Sequence, residues 1–223
     1  TTGTGSGKTE SFLYPVINEI LQEKNIDEPG IRAIFLFPMN ALVNDQFDRV
    51  RKILNKYPEI KYGYFTGNTK NTDGDIDGTR EYIKATTGND VGRNELLDRE
   101  SIRKNPPHIL FTNYSMLEYI LLRPKDDTLL SKQNAEKWKF IVLDEAHTYK
   151  GALGIEIGML LRRLQQRIGH DVQFILTSAT LGENNEEGIK KIQEFGYRLT
   201  SKKYNKEDIL FSDRIELDSS NIK

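Results

Sequence analysis

Thr2-Gly3-Thr4-Gly5-Ser6-Gly7-Lys8-Thr9-Glu10 is the stretch that decides how this chain folds. Gly3, Gly5 and Gly7 let the backbone take positive φ and bring successive N–H groups against an anion. A helix beginning at the end of the loop would point its positive pole the same way. Lys8 adds a point charge that can reach the β and γ phosphates of a nucleotide, and Thr9 adds a hydroxyl ligand for Mg2+. The strict form of such a loop has glycine where Thr2 stands. Downstream, Phe12, Leu13, Val16, Ile17, Ile20 and Leu21 recur at helical spacing, which supports the helix. Pro15 falls inside it, where a bend or a loosened turn is expected.

A second stretch answers the first. Lys139-Phe140-Ile141-Val142-Leu143 is an apolar run suited to a strand buried on both faces, and it leads into Asp144-Glu145-Ala146-His147. Acids at the end of such a strand stand at the sheet edge where open α/β folds bind ligands. There Asp144 is placed to hold Mg2+ and Glu145 to orient and deprotonate a water. Alone, the acid pair would equally suit a decorated helix N-terminus. Together with the glycine loop it points to a bound nucleoside triphosphate.

Taken with Ser178-Ala179-Thr180, these segments resemble motifs I, II and III of superfamily 2 helicases, the DEAD/DEAH-box class. Threonine in the first slot of the loop is ordinary in that class. Other motifs follow in order. Phe37-Pro38-Met39-Asn40-Ala41-Leu42-Val43-Asn44-Asp45-Gln46 is similar to motif Ia, and Phe65-Thr66-Gly67 is similar to motif Ib. Thr112-Asn113-Tyr114-Ser115-Met116-Leu117 stands where the class has a further nucleic-acid motif. The likeness runs from Thr2 to about Leu181. The segments 112–124 and 144–164, with Tyr149-Lys150-Gly151, are similar to a bacterial branch that includes DNA-repair and phage-defence helicases.

The resemblance implies a three-layer α/β RecA-like P-loop NTPase domain with a mostly parallel sheet. It implies ATP and Mg2+ on Gly3, Thr4, Gly5, Ser6, Gly7, Lys8, Thr9 and Glu10, with Asp144 as a second metal ligand and Glu145 as the base. His147, Ser178 and Thr180 would couple the nucleotide to the rest of the motor. Pro38, Asn40, Gln46, Thr66, Gly67, Thr112 and Asn113 would grip one nucleic-acid strand, DNA rather than RNA, mostly at its backbone. The expected boundaries are residues 1–182 for the domain, and 183–223 for its end and the start of a linker. A strand before the glycine loop and a second RecA-like domain, with arginines for the γ-phosphate, are expected outside these residues. A repair or defence complex is the expected setting.

Composition bounds these readings. The chain has 223 residues, 37% hydrophobic and 29% charged, which suits one globular domain. Without cysteine there is no disulfide or thiolate metal site. No run of about 18 apolar residues suggests a membrane span, and the expected compartment is the cytoplasm. The net charge of −1 means that any basic surface must be local. Candidates are Arg32, Arg49, Arg51 and Lys52; Arg80, Lys84 and Arg93; and Arg162, Arg163 and Arg167. The last group falls on a predicted helix whose apolar face reads as Ile155, Met159, Leu160 and Leu164. Each cluster can equally be a solvated helix face.

Five apolar runs read as buried parallel strands: 31–37, 62–65, 108–112, 139–143 and 173–178. Helices are predicted over 41–57 and 153–168 between them, the second followed by Gly169. Residues 67–92 read as a loop or insertion. Its Asp73, Asp75, Asp77 and Gly78 imitate half of a calcium loop, but Lys84 stands where the closing glutamate belongs. His108 and His170 read as surface or strand-end residues. Three other functions compete with a helicase: a double-stranded DNA translocase that separates no strands, a nucleotide-binding scaffold without motor activity, and a P-loop ATPase unrelated to nucleic acid. Ser178-Ala179-Thr180 and the 37–46 segment argue against the last.

Overall fold

The computed structural model describes residues 8–38, 44–72, 74–88, 90–178, 182 and 184–211. Six strands form one sheet: β1 (Ala33–Phe37), β2 (Tyr62–Phe65), β3 (Glu95–Leu96), β4 (Ile109–Asn113), β5 (Phe140–Leu143) and β6 (Gln173–Leu176). Their order is β3-β2-β4-β1-β5-β6, and every neighbouring pair is parallel. The helices are α1 (Lys8–Leu21), α2 (Asn44–Leu54), α3 (Ile76–Thr87), α4 (Arg99–Lys104), α5 (Tyr114–Leu122), α6 (Lys132–Ala135), α7 (Gly151–Ile168) and α8 (Glu186–Thr200). The sequence expectation of an α/β RecA-like domain with a parallel sheet holds.

Strand pleating explains the three layers. In β1, Ala33, Phe35 and Phe37 face a core with Phe12, Leu13, Val16, Ile17 and Ile20 of α1 and Val50, Ile53 and Leu54 of α2. Ile34 and Leu36 face the opposite core, which holds Leu117 and Ile120 of α5, Leu160, Leu161 and Leu164 of α7, and Leu199 of α8. Strands covered on both sides carry continuous apolar runs, and β1 is buried at all five positions. α8 docks on α7 so closely that a Cβ at Gly158 would come 3.2 Å from the Arg198 carbonyl.

Several local readings are corrected. Residues 67–92 are not a featureless loop: α3 occupies much of them, capped by Asp75, which accepts from Gly78 N at 2.9 Å. The buried face of α7 is Ile157, Gly158, Leu160, Leu161, Leu164 and Ile168, while Ile155 and Met159 are exposed. The predicted face was turned by part of a helical turn. α7 begins at Gly151, two residues earlier than predicted, and ends as expected with Gly169 at φ 80°. α1 runs through Pro15, which lies on its exposed side, where the absent N–H disturbs no packing. His108 does stand at a strand end, but it is buried rather than on the surface. Its Nδ1 accepts the Lys61 N–H at 3.0 Å.

Candidate functional site

β5 delivers Asp144 to the carboxyl edge of the sheet. The Asp144 N–H continues the ladder to Leu36 O at 2.9 Å, and the side chain is only 4% exposed. Immediately after it the chain turns sharply. Glu145 takes φ 47° and ψ 44°, a left-handed conformation that a residue with a Cβ adopts at a cost. A short 3-10 turn (Ala146–Thr148) follows, braced by Thr148 Oγ1 donating to Glu145 O at 2.8 Å. The turn brings His147 Nδ1 to 3.2 Å from Glu145 Oε2, so the residue expected to couple and the residue expected to act as base are in contact.

The acid pair is held from β6. Register pairs Leu143 with Leu176, which sets Thr177 beside Asp144. The Thr177 hydroxyl donates to Asp144 Oδ1 and accepts the Glu145 N–H at 3.1 Å, while Thr177 O accepts the Ala146 N–H at 2.8 Å. The sequence reading named Ser178 and Thr180 at this edge as coupling residues and did not name Thr177. Counting register from the two strands would have found it. Ser178 is buried at the same edge, and Thr180 lies outside the described residues.

The orientation of α1 follows from its ion pairs. Lys139, just before β5, contacts Glu19 at 3.0 Å and Glu23 at 2.9 Å, and Arg32, just before β1, contacts Glu23 at 2.9 Å. The far end of α1 therefore lies at the amino ends of the strands. Its first turn lies at the carboxyl edge, with Asp144. A helix of 14 residues is about 21 Å long, enough to span the sheet. Gly3, Thr4, Gly5, Ser6 and Gly7 lie outside the described residues, as does the Lys8 side chain. Glu10, in the first turn, accepts from Arg49 Nε at 2.6 Å.

Five of the residues predicted to touch nucleic acid share this edge. Pro38 follows β1, Thr66 and Gly67 follow β2, and Thr112 and Asn113 end β4, with Phe37 paired to Asn113 and Phe65 to Thr112. Thr112 Oγ1 donates to Phe65 O at 2.6 Å, and Asn113 caps α5 through the Met116 N–H at 2.9 Å. Gln46 lies in α2 with its side chain outside the description, and Asn40 is outside the described residues. Three strand spacings separate Thr66 from Asp144, about 14 Å.

Several arginines of the predicted basic clusters are engaged within the fold, and Arg163 and Arg167 of α7 pair on its solvated face. Arg32 is 2% exposed and donates to three backbone carbonyls, those of Asn25, Glu28 and Gly30. Arg51 makes a bidentate buried pair with Glu95 at 2.8 and 2.9 Å, joined by the Tyr62 hydroxyl at 2.9 Å. Burial alone would lower the Arg51 pKa, but the Glu95 carboxylate more than offsets it and holds the guanidinium firmly charged. Arg80 reaches the carbonyls of Val91, Gly92 and Glu95. Arg163 pairs with Glu118, and Arg167 with Asp127.

A DEAD/DEAH box helicase model matches residues 1–188 of this chain. The chain belongs to that family. It is a RecA-like, ATP-binding domain of the kind that couples nucleotide to nucleic acid in these enzymes. Among its relatives, Druantia protein DruE of Escherichia coli (strain UMEA 4076-1) is 30% identical over 86% of this chain and 15% of its own length. The uncharacterized ATP-dependent helicase YprA of Bacillus subtilis (strain 168) is 32% identical over 84% of this chain and 21% of its own. The crystal structure of the DUF1998 helicase MrfA bound to DNA and AMPPNP superposes with a TM-score of 0.61 at 30% identity, covering 91% of this chain and 23% of that one. The chain thus spans under a quarter of these relatives. Among the described residues no helix is long and apolar enough to cross a membrane.

The residues at the edge suit the metal of this family. The residues that would hold it offer hard oxygens, a buried carboxylate at Asp144 and the hydroxyl of Thr9 at the start of α1. Mg2+ characteristically takes one or two protein oxygens and completes its shell with phosphate and water.

Proposed function

We propose that this chain is the nucleotide-holding half of an ATP-driven DNA motor. Gly3, Thr4, Gly5, Ser6 and Gly7 wrap the phosphates, and Lys8 reaches the β and γ groups. Thr9 and Asp144 hold Mg2+, which supplies charge neutralisation at the phosphate oxygens when bound. Glu145 orients a water in line with the γ-phosphoryl group and takes its proton. His147, beside Glu145, joins Ser178 and Thr180 in reporting nucleotide state to the rest of the motor. A second RecA-like domain of the parent protein closes over the nucleotide.

Pro38, Asn40, Gln46, Thr66 and Gly67 lie against one DNA strand, while Thr112 and Asn113 hold that rim through their bonds to Phe65 and α5. DNA is favoured because the related helicase MrfA was crystallised on it. A repair or defence setting is favoured by the likeness of the 112–124 and 144–164 segments to that branch.

The observation that carries this reading is the shared edge. The acid pair stands there, and the ion pairs at the far end of α1 direct its first turn to the same edge, three strand spacings from Thr66. The test uses the full-length protein. Lys8→Ala is expected to abolish binding of a non-hydrolysable ATP analogue with Mg2+ in titration calorimetry, and DNA-stimulated phosphate release with it. Unchanged affinity would remove the loop from its role. A strand-displacement assay run beside a triplex-displacement assay then separates unwinding from translocation without strand separation.

A further inference from the structure

Two guanidinium groups gather at the end of β2, outside the segments discussed above, and a third, Arg123 of the 112–124 segment, stacks on Tyr119 nearby. Arg99 lies 5.5 Å and Arg103 5.6 Å over the ring of Phe65. Arg123 is near enough to repel Arg99, and burial together with Arg103 and Arg123 lowers the pKa of Arg99. The carboxylate acting on Arg99 is that of Asp126, which is fully buried and accepts from Arg103 Nε at 2.6 Å. Glu100 faces Thr72 and Lys104, and Asp98 caps Ser101. The cluster carries a surplus of positive charge.

Arg99 also shapes the turn that follows β2. Its NH2 donates to Thr66 O at 2.6 Å and to Gly67 O at 3.3 Å, and its NH1 reaches Asn71 Oδ1 at 3.4 Å. Its backbone N–H bonds Lys70 O at 3.0 Å, so the turn is clamped to the start of α4. Both carbonyl oxygens, which would repel an anion, are drawn onto the guanidinium. Gly67 is exposed, and a Cβ there would meet nothing within 4 Å, so the outer side of the turn is open.

We propose that Arg99 is a positioning residue for nucleic-acid binding: it turns the Thr66 and Gly67 carbonyls inward and makes the open side of that turn a seat for a backbone phosphate of the bound strand. This rests on the reading that Thr66 and Gly67 face nucleic acid. Arginine suits the task because its planar fork can hold two carbonyls while stacking on a ring, which a lysine ammonium cannot do.

The experiment measures the anisotropy of fluorescein-labelled single-stranded DNA bound to the full-length protein across a salt series. Thermal melting and ATP-analogue binding are followed in parallel. Arg99→Ala is expected to weaken binding about 10-fold, the scale of one charge-assisted hydrogen bond. It should also reduce the slope of log K against log salt by about 0.7. Arg99→Lys should restore the slope but not the affinity. Gly67→Asp, which places a carboxylate on the open side at a position without positive φ, should weaken binding at least as much. If Gly67→Asp binds like wild type, the turn does not face nucleic acid, and the underlying reading fails together with the proposal. If Gly67→Asp is weak but Arg99→Ala and Arg99→Lys bind within twofold of wild type, the proposal alone is overturned. Should Arg99→Ala melt early, Arg99→Lys decides, and wild-type affinity there counts against it.

Discussion

Thr177 closes on Asp144 from the neighbouring strand, its hydroxyl donating to the carboxylate while the same oxygen accepts the backbone N–H of Glu145 at 3.1 Å. One side chain thus fixes the orientation of the buried acid and the start of the strained turn after it. A hydrogen bond to a charged group is worth about 1.5–3 kcal/mol, or roughly a factor of 10–100 in rate if it acts only in the transition state.

Thr177→Val keeps the branched shape that a strand end accepts but removes both bonds. It is expected to lower kcat for ATP hydrolysis about 10-fold or more in the full-length protein, with a smaller change in nucleotide affinity. Thr177→Ser should recover most of the loss. Steady-state phosphate release measures both, and a Thr177→Val enzyme with unaltered kcat would show that Asp144 is held by its other contacts.

Glu145 carries a second prediction because its backbone and its side chain can be separated. A non-glycine residue in the left-handed region costs on the order of 1 kcal/mol. Glu145→Gly should relieve that strain, offset in part by the backbone entropy glycine adds to the unfolded chain, and raise the melting temperature by about 1–2 °C. It should also abolish turnover. Glu145→Gln keeps the strain and ATP binding and should slow hydrolysis about 100-fold or more, the usual scale for loss of a general base. A Glu145→Gly chain that melts earlier than wild type would show that the strain relieved is smaller than the backbone entropy glycine adds to the unfolded state.

The α/β class and the central strands were legible because burial on both faces leaves short continuous apolar runs, as in Ile141-Val142-Leu143, too short for a buried helix and rich in β-branched residues. The placement of Asp144 and Glu145 at the sheet edge was legible because they directly follow the apolar run that forms β5. Arg32 and Arg51 were misread because charge reports nothing about burial when the partner, Glu95 for Arg51, lies 44 residues away. Ile155 and Met159 were misread because α7 offers apolar residues on more than one side, and only docking of α5 and α8 chooses between them. β3 escaped notice because two residues carry no periodicity. Thr177 escaped because its role depends on register between β5 and β6, a relation between strands rather than a property of either one.

His108 supplies a prediction that is independent of the nucleotide. Burial first, and then the charge of Arg32, hold its pKa down to about 4 from the ordinary 6.5, while Lys61 acts in the same direction and Glu23 opposes it. The ring stays neutral in the folded chain and accepts the Lys61 N–H at Nδ1. Above about pH 6.5 it is neutral in both states and contributes nothing to the pH dependence. Between about pH 6.5 and 4 the unfolded chain binds a proton that the folded chain refuses, so stability falls with falling pH. The loss approaches roughly 3 kcal/mol at the lower end. His108→Asn offers Lys61 an oxygen acceptor but cannot titrate. Urea unfolding at pH 7, 6, 5 and 4.5 should show wild type losing stability faster than His108→Asn, with the gap widening at each step. Parallel curves for the two chains would mean that His108 protonates as readily in the folded state as in the unfolded one.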